Sequence, residues 1–386
     1  MGEHLNKKIN FNEPFISGDE IENIKKVFSS NQFYGLGNFT KKCESAISKI
    51  TNSNSCILTD SCTSALEIVA LLLRDFEKQQ EIIMPSYTFS STASAFARAG
   101  FKIIFCEINP NDMMINVEDV KKRITKETVA IVSVHYGGQA ADVISINELC
   151  KSNNIYHLED SAQAFNSYFQ SKHLGTFGDF GTISFHETKN IHSGLGGALL
   201  VNNDLFETRA RYILERGTNR QQMLKGIVDK YTWVEIGGSF APTELQAAFL
   251  LAQLNNLGKN HKKREQIYKL YKEELHDLIQ KEYFTCPMHG KDFQSNFHAF
   301  FIMLKSSNIC DNLRSFLNDN GISSYIGYVP LHSSPVGKKM GYQSSDFQIT
   351  EEYSKRLLRL PFHNNLSKEN IYEVTKLIKL FFKENV

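Results

Sequence analysis

Ser184-Phe185-His186-Glu187-Thr188-Lys189 is followed, four residues on, by Gly194-Leu195-Gly196-Gly197. An apolar β-like run, one lysine and a glycine cluster stand in that order. A lysine so placed sits at a strand end, close to a ligand, with its amine in a confined pocket. Removal from water disfavours the ammonium form, so such an amine loses its proton more easily and becomes a nucleophile. Lysine nucleophiles form Schiff bases with carbonyls, including the aldehyde of pyridoxal phosphate (PLP). A solvated surface lysine is compatible with the same six residues, so the neighbouring segments have to decide.

Three segments bear on it. In Thr59-Asp60-Ser61-Cys62-Thr63-Ser64-Ala65-Leu66-Glu67 a hydroxyl cluster runs into a helical apolar pattern, Leu66, Val69, Ala70 and Leu73. Such residues cap helices, and the free N–H groups and dipole of a helix start also hold phosphate. In Ile155-Tyr156-His157-Leu158-Glu159-Asp160-Ser161-Ala162-Gln163 an apolar strand ends in carboxylates. That is the edge where open α/β sheets bind ligands. A carboxylate there either faces water or pairs with a protonated pyridine nitrogen. Met84-Pro85-Ser86-Tyr87-Thr88-Phe89 closes a short β-like run on aromatics, fit for core packing or for stacking on a ring.

The order of these motifs resembles the fold-type I PLP-dependent sugar aminotransferases of the DegT/DnrJ type, which aminate nucleotide-linked keto-sugars. Further pieces carry the resemblance across roughly residues 9–380: Val134-His135-Tyr136, Arg216-Gly217-Thr218-Asn219-Arg220, Asp229-Lys230-Tyr231-Thr232-Trp233, Leu245-Gln246-Ala247-Ala248 and Pro330-Leu331-His332. Within the family the chain looks most like the transaminases acting at C4 of dTDP-4-dehydro-6-deoxy-D-glucose.

The resemblance implies a role for each matched residue. Lys189 is the lysine that holds PLP covalently, and Asp160 the carboxylate at the pyridine nitrogen. Gln163 lies near the ring hydroxyl, and Phe89 stacks on the ring. Thr63 and Ser64 hold the phosphate through their amides, and Ser184 reaches it through its hydroxyl. His186 lies near the cofactor, and His332 near the sugar site. Arg216, Arg220, Lys230 and Tyr231 are candidates for the nucleotide diphosphate, with a solvated loop as the equal alternative. L-Glutamate is the implied donor, converted to 2-oxoglutarate as PLP becomes pyridoxamine phosphate. The product is a dTDP-4-amino-4,6-dideoxyhexose, galacto or gluco, used in surface polysaccharide or O-antigen synthesis. A homodimer with a composite active site is also implied. The alternatives are C3 amination of a dTDP-3-keto-6-deoxyhexose and a non-catalytic PLP-binding regulatory protein.

The chain also departs from its relatives. Many carry glycine-glutamate-glycine-glycine where this chain has Leu195 within Gly194–Gly197, and the loop after Lys189 is one residue shorter. Ser239 and Ala241 replace an asparagine and an arginine in a segment that crosses to the partner subunit.

Composition sets bounds. At 386 residues, with 41% hydrophobic content, two domains are expected. These are a large PLP-binding domain over 1–255 and a smaller C-terminal α/β domain over 256–386. Alternating strands (Glu81–Met84, Lys102–Glu107, Val129–His135, Ile155–Glu159, Thr182–His186, Ala198–Val201) and helices (near 63–74, 89–99, 117–124 and 143–152) predict a three-layer α/β/α fold with a mixed, mostly parallel sheet. Helical patterns run over Glu244–Leu275 and Lys368–Phe382, and His298–Leu304 reads as a strand. A net charge of +1, from 43 basic and 42 acidic residues, carries no nucleic-acid or polybasic membrane footprint. No apolar run has membrane-spanning length, Met1–Lys8 is polar with no leader-like run after it, and no metal-ligand motif occurs. Seven cysteines without a C-x-x-C pair fit free thiols in the cytoplasm. Cys62, beside the candidate phosphate site, is expected to be inert.

Overall fold

The computed structural model describes residues 8–286 and 291–385. The polar Met1–Lys7 stretch lies outside the described residues. Seven strands form the main sheet: β1 (Ser55–Thr59), β2 (Glu81–Pro85), β3 (Lys102–Cys106), β4 (Thr128–Val134), β5 (Tyr156–Asp160), β6 (Phe180–Ser184) and β7 (Gly197–Val201). Their order is β1-β7-β6-β5-β4-β2-β3. Only β7 runs against the rest, pairing antiparallel with both β1 and β6. The mixed, mostly parallel sheet expected from the sequence is therefore present.

Every residue of β1, β2, β6 and β7 is buried, as a sheet covered on both faces requires. Alternate residues feed opposite layers. Ile57, Ile82, Met84 and Leu199 pack with Leu66 and Val69 of the Cys62–Leu73 helix and Phe96 of the Ser90–Arg98 helix. On the other face Cys56, Leu58, Ile183 and Leu200 meet Ile47 of the Asn38–Thr51 helix and Ala247 of the Glu244–Asn255 helix.

A second sheet is wholly antiparallel, in the order β8 (Phe284–Thr285), β9 (Phe301–Leu304), β11 (Leu357–Arg359), β10 (Tyr325–Ile326). Its Ile302, Leu304 and Leu358 share a core with Ile267 and Tyr271, Leu313 and Leu317, and Val374 and Ile378. Those residues come from the Leu257–Glu274, Ser307–Asp319 and Lys368–Asn385 helices.

Three details differ from the sequence reading. The single helix over Glu244–Leu275 is broken at Asn256, whose φ of −104° and ψ of 12° leave the helical region. The strand expected over His298–Leu304 forms only from Phe301. The strand expected over Thr182–His186 begins at Phe180 and ends at Ser184, where its register partner Gly197 starts β7.

Candidate active site

Because β1, β2, β4, β5 and β6 point the same way, their carboxyl ends share one sheet edge. Against that edge lies a cavity of about 370 Å³, walled in part by Thr63, Phe89, Asp160, Gln163, Ser184, His186 and Lys189. Seven of the residues expected at the cofactor thus stand together.

Lys189 lies in a loop five residues past the end of β6, rather than at the strand end itself. The loop is cinched by backbone bonds from Phe185 N to Gly196 O (2.8 Å), Glu187 N to Gly194 O (2.8 Å) and Ser193 N to Phe185 O (2.9 Å). Phe185 and Ile191 anchor it in the core. The residue is half-buried, with its amine turned into the cavity. Burial pushes the ammonium pKa down to about 8; Cys62 and Asp160 oppose the fall and Arg359 adds to it. An amine with that value carries an appreciable free-base fraction near neutrality.

Asp160 ends β5 and is 5% exposed. Its Oδ2 accepts from Thr92 Oγ1 at 2.7 Å and its Oδ1 from Ala162 N at 3.1 Å, which fixes the carboxylate at the cavity wall. Glu159 alternates to the opposite face, as strand geometry dictates. There it accepts from His135 Nε2 (2.9 Å) and from the amides of Gly175 (2.8 Å), Phe177 (2.6 Å) and Gly178 (2.8 Å). Burial raises the carboxyl pKa, but the hydrogen bonds and the histidines outweigh it and hold the group down at about 2. Ala141 N donates to His135 Nδ1, so the proton on Nε2 is the one given to Glu159. The two neighbouring carboxylates therefore divide: Glu159 ties the 175–178 loop to the sheet, and Asp160 faces the cavity.

Gln163 Oε1 accepts from Gly137 N at 2.7 Å, and its Nε2 donates to Tyr328 OH at 2.6 Å. The Gly137-Gly138 turn that supplies this amide has φ of +64° and +82°, which glycine adopts without strain. Ser61 caps the Cys62–Leu73 helix by accepting from Ser64 N at 3.1 Å. The helix start, with Ser61, Cys62 and Thr63, walls the cavity. β7 passes so close that a Cβ on Gly197 would lie 2.3 Å from Cys62 N, so only glycine fits. Thr63 Oγ1 donates to Ser91 Oγ at 2.9 Å. Ser64 faces away from the cavity, with its hydroxyl bonded to Asp60. Burial pushes the Cys62 thiol pKa up. Phe89 is 57% exposed at the rim, and Leu195 puts an apolar side chain in the wall.

The other expected residues lie elsewhere. Arg216 and Arg220 each stack at 5.6 Å on the ring of Tyr34, and Arg220 pairs with Glu215 at 3.1 Å. Lys230 and Tyr231 are exposed. None of the four belongs to the cavity wall. His332 is buried outside the cavity wall, with Nδ1 2.7 Å from Ser86 Oγ and its ring 4.4 Å from that of Phe347. Ser239 is exposed, in a bridge with Glu215.

Among the wall residues that the sequence reading did not single out are Phe11, Thr92, His298 and Arg359. Burial, helped by Lys189, Arg264 and Arg359, holds the His298 pKa well below its ordinary range. Its Nδ1 lies 3.0 Å from Asn190 Oδ1, so the neutral ring donates there. None of these residues sits in a motif, and only the topology brings them to the cavity.

The donor set fits pyridoxal phosphate. A readily deprotonated amine, a fixed carboxylate, a rim aromatic and a hydroxyl-rich helix start match its aldehyde, pyridinium, ring face and phosphate in turn. Among the described residues no group of His, Cys, Asp and Glu is placed to hold a metal ion, and no helix is long and apolar enough to cross a membrane.

The model of the DegT/DnrJ/EryC1/StrS aminotransferase family matches residues 14–379. GDP-perosamine synthase of Vibrio cholerae is 27% identical over 96% of this chain and 98% of its own. The dTDP-4-dehydro-2,3,6-trideoxy-D-glucose 4-aminotransferase of Saccharopolyspora spinosa is 26% identical over 95% of this chain and 94% of its own. The crystal structure of the aminotransferase TlmJ from Streptoalloteichus hindustanus superposes with a TM-score of 0.90 at 24% identity, covering 98% of this chain and 100% of that one.

Proposed function

The chain belongs to the DegT/DnrJ/EryC1/StrS aminotransferase family, and from that premise we propose that it transfers the amino group of L-glutamate to C4 of dTDP-4-dehydro-6-deoxy-D-glucose. It is a PLP-dependent aminotransferase of nucleotide sugars. The finer reading makes a dTDP-4-amino-4,6-dideoxyhexose and 2-oxoglutarate, for surface polysaccharide such as O-antigen. It is supported by the Saccharopolyspora relative, whose name carries both the dTDP group and the 4-amino position. The GDP sugar in the name of the Vibrio relative makes the nucleotide the first thing to test.

The observation that carries the reaction class is the enclosure of Lys189 and Asp160 in one cavity. Bound there, PLP supplies an aldehyde that takes up an amino group and a ring that accepts the electrons released at the donor Cα. Lys189 would hold it covalently, Asp160 would sit at its ring nitrogen and Gln163 near its hydroxyl. Phe89 would cover a ring face, and Thr63 and Ser184 would hold its phosphate, whereas Ser64, expected there too, spends its amide on Ser61 and its hydroxyl on Asp60. Lys189 Nζ, once displaced by the donor, removes the proton from the donor Cα. In the second half-reaction it delivers a proton to C4 of the sugar. Asp160, held by Thr92, keeps a proton on the ring nitrogen through both halves. His186 stands in the wall toward the sugar.

We assign the nucleotide to Arg216, Arg220, Lys230 and Tyr231 across a homodimer, since none of them faces the cavity of its own chain. The exposed Leu224, Ile227, Trp233, Val234 and Ile236 around them support an apolar interface of this kind. His332 is assigned to the neighbourhood of the sugar, as the resemblance implies, and is held there by Ser86. The division of the chain into 1–255 and 256–386 is supported by the helix break at Asn256 and by the separate core of the second sheet.

The test is to incubate the protein with L-glutamate and dTDP-4-dehydro-6-deoxy-D-glucose and to solve the product by NMR. A 4-amino-4,6-dideoxyhexose is expected, with the H4 couplings fixing galacto or gluco. Amination only of a 3-keto sugar, or only of a GDP- or UDP-linked one, would reject the assignment.

A further inference from the structure

Arg359, the last residue of β11, lines the same cavity as Lys189. Its guanidinium stands 4.8 Å over the ring of Phe11, another wall residue. Its strand neighbour Arg356 is paired with Glu352 at 2.7 Å, but no carboxylate among the described residues reaches Arg359. Arg264, also buried, gives its Nε to Phe297 O (2.7 Å), its Nη2 to His298 O (2.6 Å) and its Nη1 to Asn364 Oδ1 (3.1 Å). Arg359 therefore presents a half-buried cation to the cavity without a countercharge. Such a group is costly unless an anion joins it.

We propose that Arg359 seats the α-carboxylate of the amino donor. The inference rests on the transaminase reading above and adds the donor's recognition to it. The reacting Cα must come within reach of Lys189 Nζ, and the α-carboxylate is one bond from that carbon. Its binding group must then face the cavity beside the lysine, as Arg359 does. The anion of a nucleotide sugar is a whole hexose ring away from C4, so its seat lies farther from Lys189. The cofactor's phosphate has its own seat at the Cys62–Leu73 helix start, which belongs to the other sheet. A planar guanidinium, pre-set by Phe11, suits a carboxylate in bidentate fashion. The charge of Arg359 also reaches Lys189, where it adds to the effect of burial in lowering the ammonium pKa. A carboxylate on Arg359 cancels that charge and makes the amine a stronger base when the donor arrives.

The experiment uses the full PLP-loaded chain and glutarate, a dicarboxylate with no amine to react. Its dissociation constant is read from the change in cofactor absorbance, and that of dTDP from calorimetry. Arg359→Gln is expected to weaken glutarate by about 10- to 100-fold, the range for a hydrogen bond to a charged group. Arg359→Lys should restore part of it, with dTDP affinity unchanged in both variants. The cofactor spectrum of each variant before titration checks that the site is intact. Equal glutarate affinity in Arg359→Gln and the parent overturns the proposal, as does a parent chain that does not bind glutarate. A loss confined to dTDP overturns it too and gives the arginine to the nucleotide. Glutarate binding through Arg359 without any amino sugar in the NMR assay upholds the donor site and rejects the sugar assignment alone.

Discussion

Lys189 and Asp160 are separated by environment more than by residue type. The amine is enclosed until its pKa falls to about 8, and the carboxylate is clamped by a threonine hydroxyl. Lys189→Ala is expected to abolish turnover and to shift the absorbance of bound PLP to that of the free aldehyde. Retained transamination would remove the lysine from its role. Asp160→Asn should keep the cofactor but slow each half-reaction by about 100-fold or more, the scale of losing one preorganised electrostatic partner. Single-turnover absorbance measures this, and parent-like rates would contradict it. At this scale the sequence was informative where a motif is contiguous: Lys189, Asp160, Gln163 and Ser184 all reach the cavity. It could not say why Asp160 rather than Glu159 faces inward, because that depends on which face of β5 each side chain takes. Nor could it show Arg359, more than 150 residues from Lys189 in the chain.

The β5 strand shows what an element adds. Tyr156–Asp160 presents His157 and Glu159 to one face and Asp160 to the site. Burial lowers the pKa of His157 to about 4, and that of His173, in the short Lys172–His173 strand, also to about 4. The unfolded chain binds these protons below about pH 6.5, whereas the folded chain refuses them until about pH 4. Stability is therefore present above pH 6.5 and lost as the pH falls from about 6.5 to about 4, by up to about 1.4 kcal/mol per pH unit for each histidine. Urea unfolding across that window tests the sign. His157→Asn should give a shallower acid slope, and a slope as steep as the parent's would contradict it. Elements with strong periodicity were legible, among them the four helices between β1 and β5. The Ser55–Thr59 strand was not, because its five residues follow the polar Asn52-Ser53-Asn54 and gain strand character only from β7 beside them. The break at Asn256 was equally hidden, since helical periodicity continues through it.

At the scale of the molecule, the carboxyl edge of the large sheet supplies the cofactor pieces, while the second sheet supplies Arg359 and the segments flanking its strands supply His298 and Tyr328. The fold class was legible in the alternation of strands and helices. The closing of the cavity was not, since it joins segments that no local pattern links. Trp233 is 73% exposed, amid other exposed apolar residues of the 224–236 segment. If that segment meets a second copy, Trp233→Glu should shift the sedimenting species from dimer to monomer and lower activity with it. A parent chain that sediments as a monomer would contradict the interface. The cavity wall runs from Phe11 to Phe362, nearly the whole length of the chain. A nascent or half-folded copy leaves Lys189 in water, where its ammonium holds its proton more tightly and its amine traps an aldehyde far less readily at neutral pH. Colour from the bound vitamin would thus serve as a certificate of completion, since the pocket that takes it exists only once distant segments of the chain have met.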